Sequence, residues 1–208
     1  MTDQHEQLST LQEIRNIMDR SSRFNSLSGL SGILAGISGL AGAGVVAWYL
    51  ASHNLVYRDL YSAVPVAGVG EFVTVSAMVV LILAISSVVY LSYLKAQKTK
   101  QSVSHSQGQR MVSNLFIPLG VGGLFCLVLI YHGILYLVAP AMLIFYGLSL
   151  INASKYTFLE IRYLGICETV LGLVACFFIE YGLLAWALGF GILNIVFGAL
   201  IYSRYEKV

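Results

Sequence analysis

The hydrophobic positions of this chain form long continuous runs, separated by shorter polar segments. A helix needs about 20 apolar residues to cross the roughly 30 Å of hydrocarbon in a bilayer. Six segments approach that length, and such segments are typical of transmembrane helices. They cover residues 28–50, 72–94, 114–131, 134–152, 163–179 and 183–202. The pattern therefore predicts an all-α, polytopic membrane protein with six transmembrane helices arranged as three hairpins.

The third and fourth predicted helices are separated only by a short turn. Residues 115–151 carry almost no charge and are too many for one crossing of the membrane. A tight turn at His132 and Gly133 divides this run into two spans of suitable length.

The basic residues predict the orientation of the chain. Lys and Arg stay on the cytoplasmic side of a membrane, and alternating six spans places both termini and two loops on one side. That side then holds all Lys and Arg residues except Arg58: Arg15, Arg20, Arg23, Lys95, Lys98, Lys100, Arg110, Lys155, Arg162, Arg204 and Lys207. This sorting supports six spans, with the N-terminus and the C-terminus both in the cytoplasm.

Composition narrows the class of function. The chain is 58% hydrophobic and 11% charged, which rules out a soluble enzyme. A net charge of +2 leaves too few cations for nucleic-acid binding as a main function. Cys126, Cys167 and Cys176 lie in apolar runs without CxxC spacing, so neither disulfides nor a thiolate metal site is expected. Membrane lipids are the expected partners, and no cofactor is expected.

Residues 1–26 form a separate segment ahead of the transmembrane domain, residues 27–208. Leu8, Leu11, Ile14 and Met18 recur at helical spacing, with polar residues on the opposite side. We expect a cytoplasmic amphipathic helix lying on the membrane surface. A docking helix for a soluble partner or another subunit is the alternative.

The second and third hairpins resemble each other. Tyr131-His132-Gly133 and Glu180-Tyr181-Gly182 form the two turns, and the helices that follow carry Tyr146-Gly147 and Phe197-Gly198. Because every hairpin starts and ends on the same side of the membrane, the units would be parallel repeats. The pattern indicates that the second and third hairpins arose by duplication. The duplication would become a triplication if the first hairpin were a further copy.

These hairpins resemble the HdeD-type acid-resistance membrane proteins, small six-helix chains with glycines near their turns and a proline early in a return helix. Gly133, Pro140 and Gly147 match that pattern in the second hairpin. The third hairpin has Gly182 and Gly198 but no proline, so the resemblance covers the C-terminal half of the chain. It implies a stress-related protein of the bacterial inner membrane and names no substrate.

Gly29, Gly32, Gly36 and Gly39 lie on one side of the first predicted helix. Small residues at this spacing allow helix backbones to approach closely. We therefore expect a tight helix contact here, either within the chain or across a homo-oligomer. A path for ions along the stripe is the less favoured alternative.

Glu168 is the acidic residue that lies well inside a predicted span. A carboxyl group at this depth is costly and should face protein or water. Asn194 and Tyr146 fall at a similar depth, so the three side chains are predicted to form one polar layer. The layer is interpreted either as a proton-titrating or cation-binding centre, or as hydrogen bonds that hold helices together.

Four residues approach the outer surface from different helices: His53, Glu71, His132 and Glu180. Imidazole and carboxylate groups can bind zinc, and two histidines can bind haem. No ligand spacing links the four residues, so no metal site is predicted.

Three functions fit these features. The first is a small proton-coupled or small-solute transporter or channel that uses Glu168, and the second is a non-catalytic stress-related, accessory or scaffolding protein. A membrane enzyme acting on lipid or quinone is the third. The sequence favours the second, because Glu168 has no charged partner inside a span.

Overall fold

A computed structural model describes residues 28–55, 57, 68–99 and 105–205 of the chain. The described residues form helices joined by turns and include no β-strand. The predicted amphipathic segment, residues 1–26, lies outside these residues, as does Arg58. The all-α prediction is thus confirmed for the described part of the chain.

Five long or medium helices are followed by a composite helical segment. The five are α1 (Gly29–Ser52), α2 (Val69–Thr99), α3 (His105–Tyr131), α4 (Val138–Ala153) and α5 (Leu159–Phe177). The remainder consists of a 3-10 turn (Ile179–Tyr181), α6 (Gly182–Trp186), a π-helical stretch (Ala187–Leu193) and α7 (Asn194–Tyr205). We call the continuous run Ile179–Tyr205 the C-terminal segment.

Five of these helical segments are long and apolar enough to cross a membrane, by length and composition. Helix α5 has 19 residues, which is about 28 Å and also sufficient for a crossing. It carries three charged residues close together in its first half, Glu160, Arg162 and Glu168. The helices are therefore consistent with an integral membrane protein of five spans, or six when α5 is included.

Glycines in a left-handed conformation precede two of the return helices. Gly133 has a φ of +73° between α3 and α4, and Gly68 has a φ of +87° just before α2. An L-residue with a side chain rarely adopts this conformation, whereas glycine does so at little steric cost. The Gly133 turn lies where the sequence predicts the reversal between the third and fourth spans.

The helices pack side by side in an order that differs from the order along the chain. Helix α1 contacts both α2 and the C-terminal segment. That segment contacts α4 and α5, and α3 packs on α4. The closest pairing of α5 is with α4, the last helix of the preceding hairpin, rather than with the C-terminal segment that completes its own. The three predicted hairpins are therefore not isolated packing units.

The predicted glycine stripe of α1 packs against the C-terminal segment. A Cβ atom placed on Gly36 would lie 2.7 Å from the Gly191 carbonyl oxygen, and one on Gly39 would lie 2.5 Å from that of Phe190. Similar placements on Gly29 and Gly32 would meet Gly198. The stripe is thus covered within the chain, which leaves it unavailable as a contact with a second copy.

A second glycine contact joins α4 to α5. A Cβ atom on Gly165 would lie 2.7 Å from the Gly147 oxygen, and one on Gly172 would lie 2.9 Å from the Pro140 oxygen. Gly165 and Gly172 were not predicted to form a contact, although their seven-residue spacing places them on one side of α5. Both glycine contacts bring helix backbones together in the way small residues permit in membranes.

The close contact between α1 and the C-terminal segment predicts a large effect of one methyl group. We expect Gly36→Ala to lower the free energy of unfolding by about 1–3 kcal/mol, because the added carbon overlaps backbone atoms. Gly44→Ala is the matched control on the same helix, since its Cβ would meet no atom within 4 Å. Unfolding in mixed detergent micelles measures the stability of both variants, and equal stabilities would contradict close packing of α1 against the C-terminal segment.

Candidate intramembrane polar site

Three polar side chains from three helical segments meet inside the bundle. Tyr146 comes from α4, Glu168 from α5, and Asn194 from the start of α7. The Tyr146 hydroxyl donates a hydrogen bond to Asn194 Oδ1 at 2.9 Å. Asn194 Nδ2 donates to Glu168 Oε1 at 3.3 Å. The structure thus brings together the three residues that the sequence places at one depth.

The Glu168 side chain is completely enclosed, with 0% of its surface exposed. Its second carboxyl oxygen, Oε2, has no hydrogen-bond partner among the described residues. A Cβ atom on Gly189 would collide with this oxygen and with Leu143 Cδ2. Gly189 therefore makes the space into which the carboxyl group fits, a role that sequence inspection did not assign to it.

A π-helical stretch shapes the C-terminal side of this site. Residues Ala187–Leu193 form the π-helix, and Asn194 begins α7 directly after it. Asn194 Nδ2 also donates to the Gly189 carbonyl oxygen at 3.2 Å, five residues earlier. π-Helical turns are rare and often occur at functional sites. No sequence signal predicted this one, since its composition is that of an ordinary apolar helix.

The surroundings of Glu168 are apolar apart from Asn194 and Tyr146. Leu143 lies beside the carboxyl group, since a Cβ atom on Gly189 would meet both. Leu143 belongs to a buried apolar cluster with Ala175 and Ala185, against which Phe190 packs. The Phe190 ring lies 5.0 Å from that of Tyr146. Within the described part of the chain, no Lys or Arg pairs with the Glu168 carboxyl group. Hydrogen bonding, rather than ion pairing, therefore holds this carboxyl group in place.

This arrangement connects three helices through a short chain of hydrogen bonds. Tyr146 donates to Asn194, and Asn194 donates to both Glu168 and the backbone of its own segment. Because Glu168 is fully enclosed, a solute cannot reach its carboxyl group without movement of the helices. The site can therefore join helices as it stands, and Oε2 is the atom left to accept or hold a further proton.

A second polar group, which the sequence analysis missed, lies at one end of the bundle. Arg204 Nη1 donates to Glu160 Oε1 at 2.8 Å, and the Tyr205 hydroxyl lies 3.3 Å from the same oxygen. The Phe158 and Tyr205 rings are 4.4 Å apart. These contacts fasten the end of α7 to the start of α5. The Arg204 side chain is 71% exposed, so its ion pair with Glu160 contributes little to stability.

The four outer residues do not form a metal-binding group. Among the described residues, no cluster of three or more His, Cys, Asp or Glu side chains is placed to hold a metal ion. His53 Nδ1 lies 2.9 Å from the carbonyl oxygen of Tyr49 on its own helix, and the His132 ring lies beside Tyr131. Glu71 belongs to the first turn of α2 and Glu180 to the 3-10 turn before α6.

The Tyr146 hydroxyl provides a direct measure of the hydrogen-bonded layer. Tyr146→Phe removes the donor to Asn194 while keeping the ring, and we expect a loss of about 1 kcal/mol in the free energy of unfolding. Tyr163→Phe is the control, because Tyr163 is exposed on α5. Unfolding of both variants in mixed micelles makes the comparison, and an equal effect of the two changes would contradict the bond.

Comparison with known proteins places this chain in no family. No protein-family model matches it, and no match was found among curated proteins or solved structures. A proposal of function therefore depends on the helices and on the enclosed Glu168 site.

Proposed function

We propose that this chain is a non-catalytic integral membrane protein with an accessory or scaffolding role. The observation that carries the proposal is the complete enclosure of Glu168 between α4, α5 and the C-terminal segment. A carboxyl group inside a membrane is costly, and such groups either work in transport or hold helices together. An enclosed carboxyl group bonded to a neighbouring segment fits the second role.

The proposed location is the bacterial inner membrane, with both termini in the cytoplasm. The basic residues support this orientation because they lie near the same ends of successive helices. Arg110 is near the start of α3, Lys155 follows α4, Arg162 is near the start of α5, and Arg204 is near the end of α7. Basic residues near span ends favour the cytoplasmic side.

A stress-related role is the narrower form of the proposal. It is supported by the resemblance of the second hairpin to HdeD-type proteins through Gly133, Pro140 and Gly147. Gly133 forms the turn of this hairpin, and Gly147 brings its return helix α4 against Gly165 of α5. Protection under acid stress would then come from the protein as a stable membrane component.

A proton-coupled or small-solute transporter is the second candidate. The observation that favours it is Glu168 Oε2, which is buried without a hydrogen-bond partner in the described residues. The adjoining π-helical stretch is the part of the C-terminal segment best suited to a change of helical form. Transport would require this stretch to move and expose the carboxyl group in turn to each side.

Replacing Glu168 by glutamine distinguishes the two functions. For a structural role, Glu168→Gln changes the free energy of unfolding by no more than about 1 kcal/mol, because the amide oxygen still accepts from Asn194. Glu168→Ala loses about 2–4 kcal/mol, because it removes both the bond and the packed volume. For a structural role we also expect the same proton flux under an imposed pH gradient in three kinds of liposomes: those with the wild-type protein, those with Glu168→Gln, and those without protein.

The control variant is Glu71→Gln, which removes an exposed carboxyl group near the start of α2. A flux through the wild-type protein that falls at least about tenfold in Glu168→Gln, and persists in Glu71→Gln, would overturn the structural proposal and establish transport. Stability measured on the same preparations separates loss of flux from loss of folded protein.

A further inference from the structure

Pro118 lies in the interior of α3, more than about three turns after the helix begins. A proline has no N–H group to donate, and its ring crowds the carbonyl group of the residue four positions earlier. In α3 that residue is Asn114. The helical hydrogen bond that position 118 would normally donate to the Asn114 carbonyl oxygen is therefore missing.

A side chain of the next helix donates to this oxygen instead. Asn152 lies near the end of α4, and its Nδ2 atom donates to the Asn114 carbonyl oxygen at 3.0 Å. Neighbouring helices in membrane proteins commonly satisfy the backbone groups that a proline frees. The Asn152 amide thus replaces the missing N–H group of Pro118, and it does so from a different helix.

The other proline in the described part of the chain shows the same relation. Pro140 lies in the first turn of α4, and the residue four positions earlier is Tyr136. The Tyr57 hydroxyl donates to the Tyr136 carbonyl oxygen at 3.3 Å. For both prolines, a side chain distant in sequence donates to the oxygen that the proline cannot reach. Only Pro118 does this in the middle of a long helix, where the missing bond weakens the helix itself.

The residues after Pro118 weaken α3 further. Gly120, Gly122 and Gly123 follow within five residues, and glycine lowers the stability of a helix. A Cβ atom placed on Gly120 or Gly123 would meet no described atom within 4 Å. Sharp bends in helices occur at proline and at small residues. Helix α3 therefore resists bending least at Pro118 and just after it.

The two parts of α3 on either side of Pro118 are held by different contacts. After Pro118, Gly122 meets Phe145 of α4. We call residues 105–117, which precede Pro118, the arm. Leu115 of the arm packs against a buried apolar cluster formed mainly by α4, α5 and α7: Leu150, Phe158, Ile161, Leu164 and Ile201. Apolar contacts have no preferred direction, whereas a hydrogen bond does, so the bond from Asn152 fixes the direction in which the arm extends from Pro118.

We propose that Pro118 is a hinge in α3 and that the Asn152 amide is the latch that holds it. While Asn152 donates to the Asn114 oxygen, the arm stays packed on the apolar cluster that Leu115 contacts. When this bond breaks, the arm turns about Pro118 and uncovers the cluster. This device is separate from the Glu168 site, and it does not depend on the function proposed for that site.

The identity of residue 118 distinguishes a latch from an ordinary contact between helices. Polar side chains often join membrane helices without any proline nearby, and such a contact has the same value whatever residue occupies position 118. A latch has a value that depends on Pro118. An alanine at position 118 supplies the N–H group that the Asn114 oxygen lacks, and the arm then needs no donor from Asn152.

Distances between pairs of spin labels in liposomes test the proposal. One label is attached at Gln109 on the arm, and the other at Lys155 or at Tyr202, all of which are exposed. A bend of about 20° at Pro118 moves Gln109, which lies about 14 Å along the helix, by about 5 Å. The two reference positions lie on different segments, so movement in any direction changes at least one distance. The labels are attached to cysteines introduced in a background with alanine at three positions: Cys126, Cys167 and Cys176.

We expect the wild-type background to give one main distance for each pair. Asn152→Leu, which keeps a similar volume and removes the donor, should raise the fraction of a second distance at least about fivefold. Adding Pro118→Ala to Asn152→Leu should restore the wild-type distances. Labels at Tyr131 and Tyr181, which are exposed beyond the hinge, should keep their distance in every variant.

The matched control is Asn114→Leu. It removes the Asn114 side chain, which donates to the Arg110 oxygen of the same helix, and it keeps the carbonyl group that Asn152 contacts. We expect wild-type distances for this variant. An effect of Asn114→Leu equal to that of Asn152→Leu would overturn the latch.

Two further results would overturn the proposal. One is an unchanged set of distances in Asn152→Leu, and the other is a second distance that persists when Pro118→Ala is added. If Asn152→Leu alone yields no folded protein, the double variant decides the question. Recovery of folded protein with Pro118→Ala supports the latch, whereas failure of both variants shows that Asn152 is required whatever residue follows at position 118, and overturns it.

Discussion

Close approach of helix backbones at glycines is the constraint on which the rest of this bundle depends. Where Gly147 meets Gly165 and Gly36 meets Gly191, no side chain separates the helices. In a membrane the lipid tails are as apolar as the protein, so packing of this kind replaces the hydrophobic effect as a source of helix association. These contacts fix α4 against α5 and α1 against the C-terminal segment. The polar layer then forms in the space that remains between α4, α5 and α7.

The glycine contacts also explain why Glu168 can be enclosed. Gly189 leaves space for the carboxyl group, and the π-helical stretch sets Asn194 where it reaches both Glu168 and the Gly189 carbonyl oxygen. A side chain at position 189 would displace the carboxyl group or push the segment away from α5. The hydrogen bonds are therefore a consequence of close packing as much as a cause of it. Removing the packing would leave a costly polar group exposed to lipid.

Much of the fold follows from the sequence, because a run of apolar residues in lipid must satisfy its backbone hydrogen bonds by forming a helix. The Gly133 turn and the meeting of Tyr146, Glu168 and Asn194 follow from position along helices of known rise. The sequence does not reveal which helices pack side by side. The glycine stripe on α1 is visible in the sequence, but its partner helix is not, since any helix with small residues could pack against it. The π-helical stretch and the role of Gly189 also depend on neighbours that a single sequence does not reveal.

Helices α3 and α4 show that two helices of this bundle can pack together without a buried carboxyl group between them. Glu168 lies 14 residues before the turn residue Gly182, and the residue 14 positions before the turn residue Gly133 is Leu119. The contact between α3 and α4 is made by Cys126, Leu129 and Ala141, which are apolar or weakly polar. Glu168 instead lies where α4, α5 and the C-terminal segment meet. A hydrogen-bonded carboxyl group has a direction that apolar contacts lack, so it fixes how α5 is turned relative to α7. That rotation determines which side of α5 presents Gly165 and Gly172 to α4. The polar layer and the glycine contact between α4 and α5 therefore specify the same arrangement.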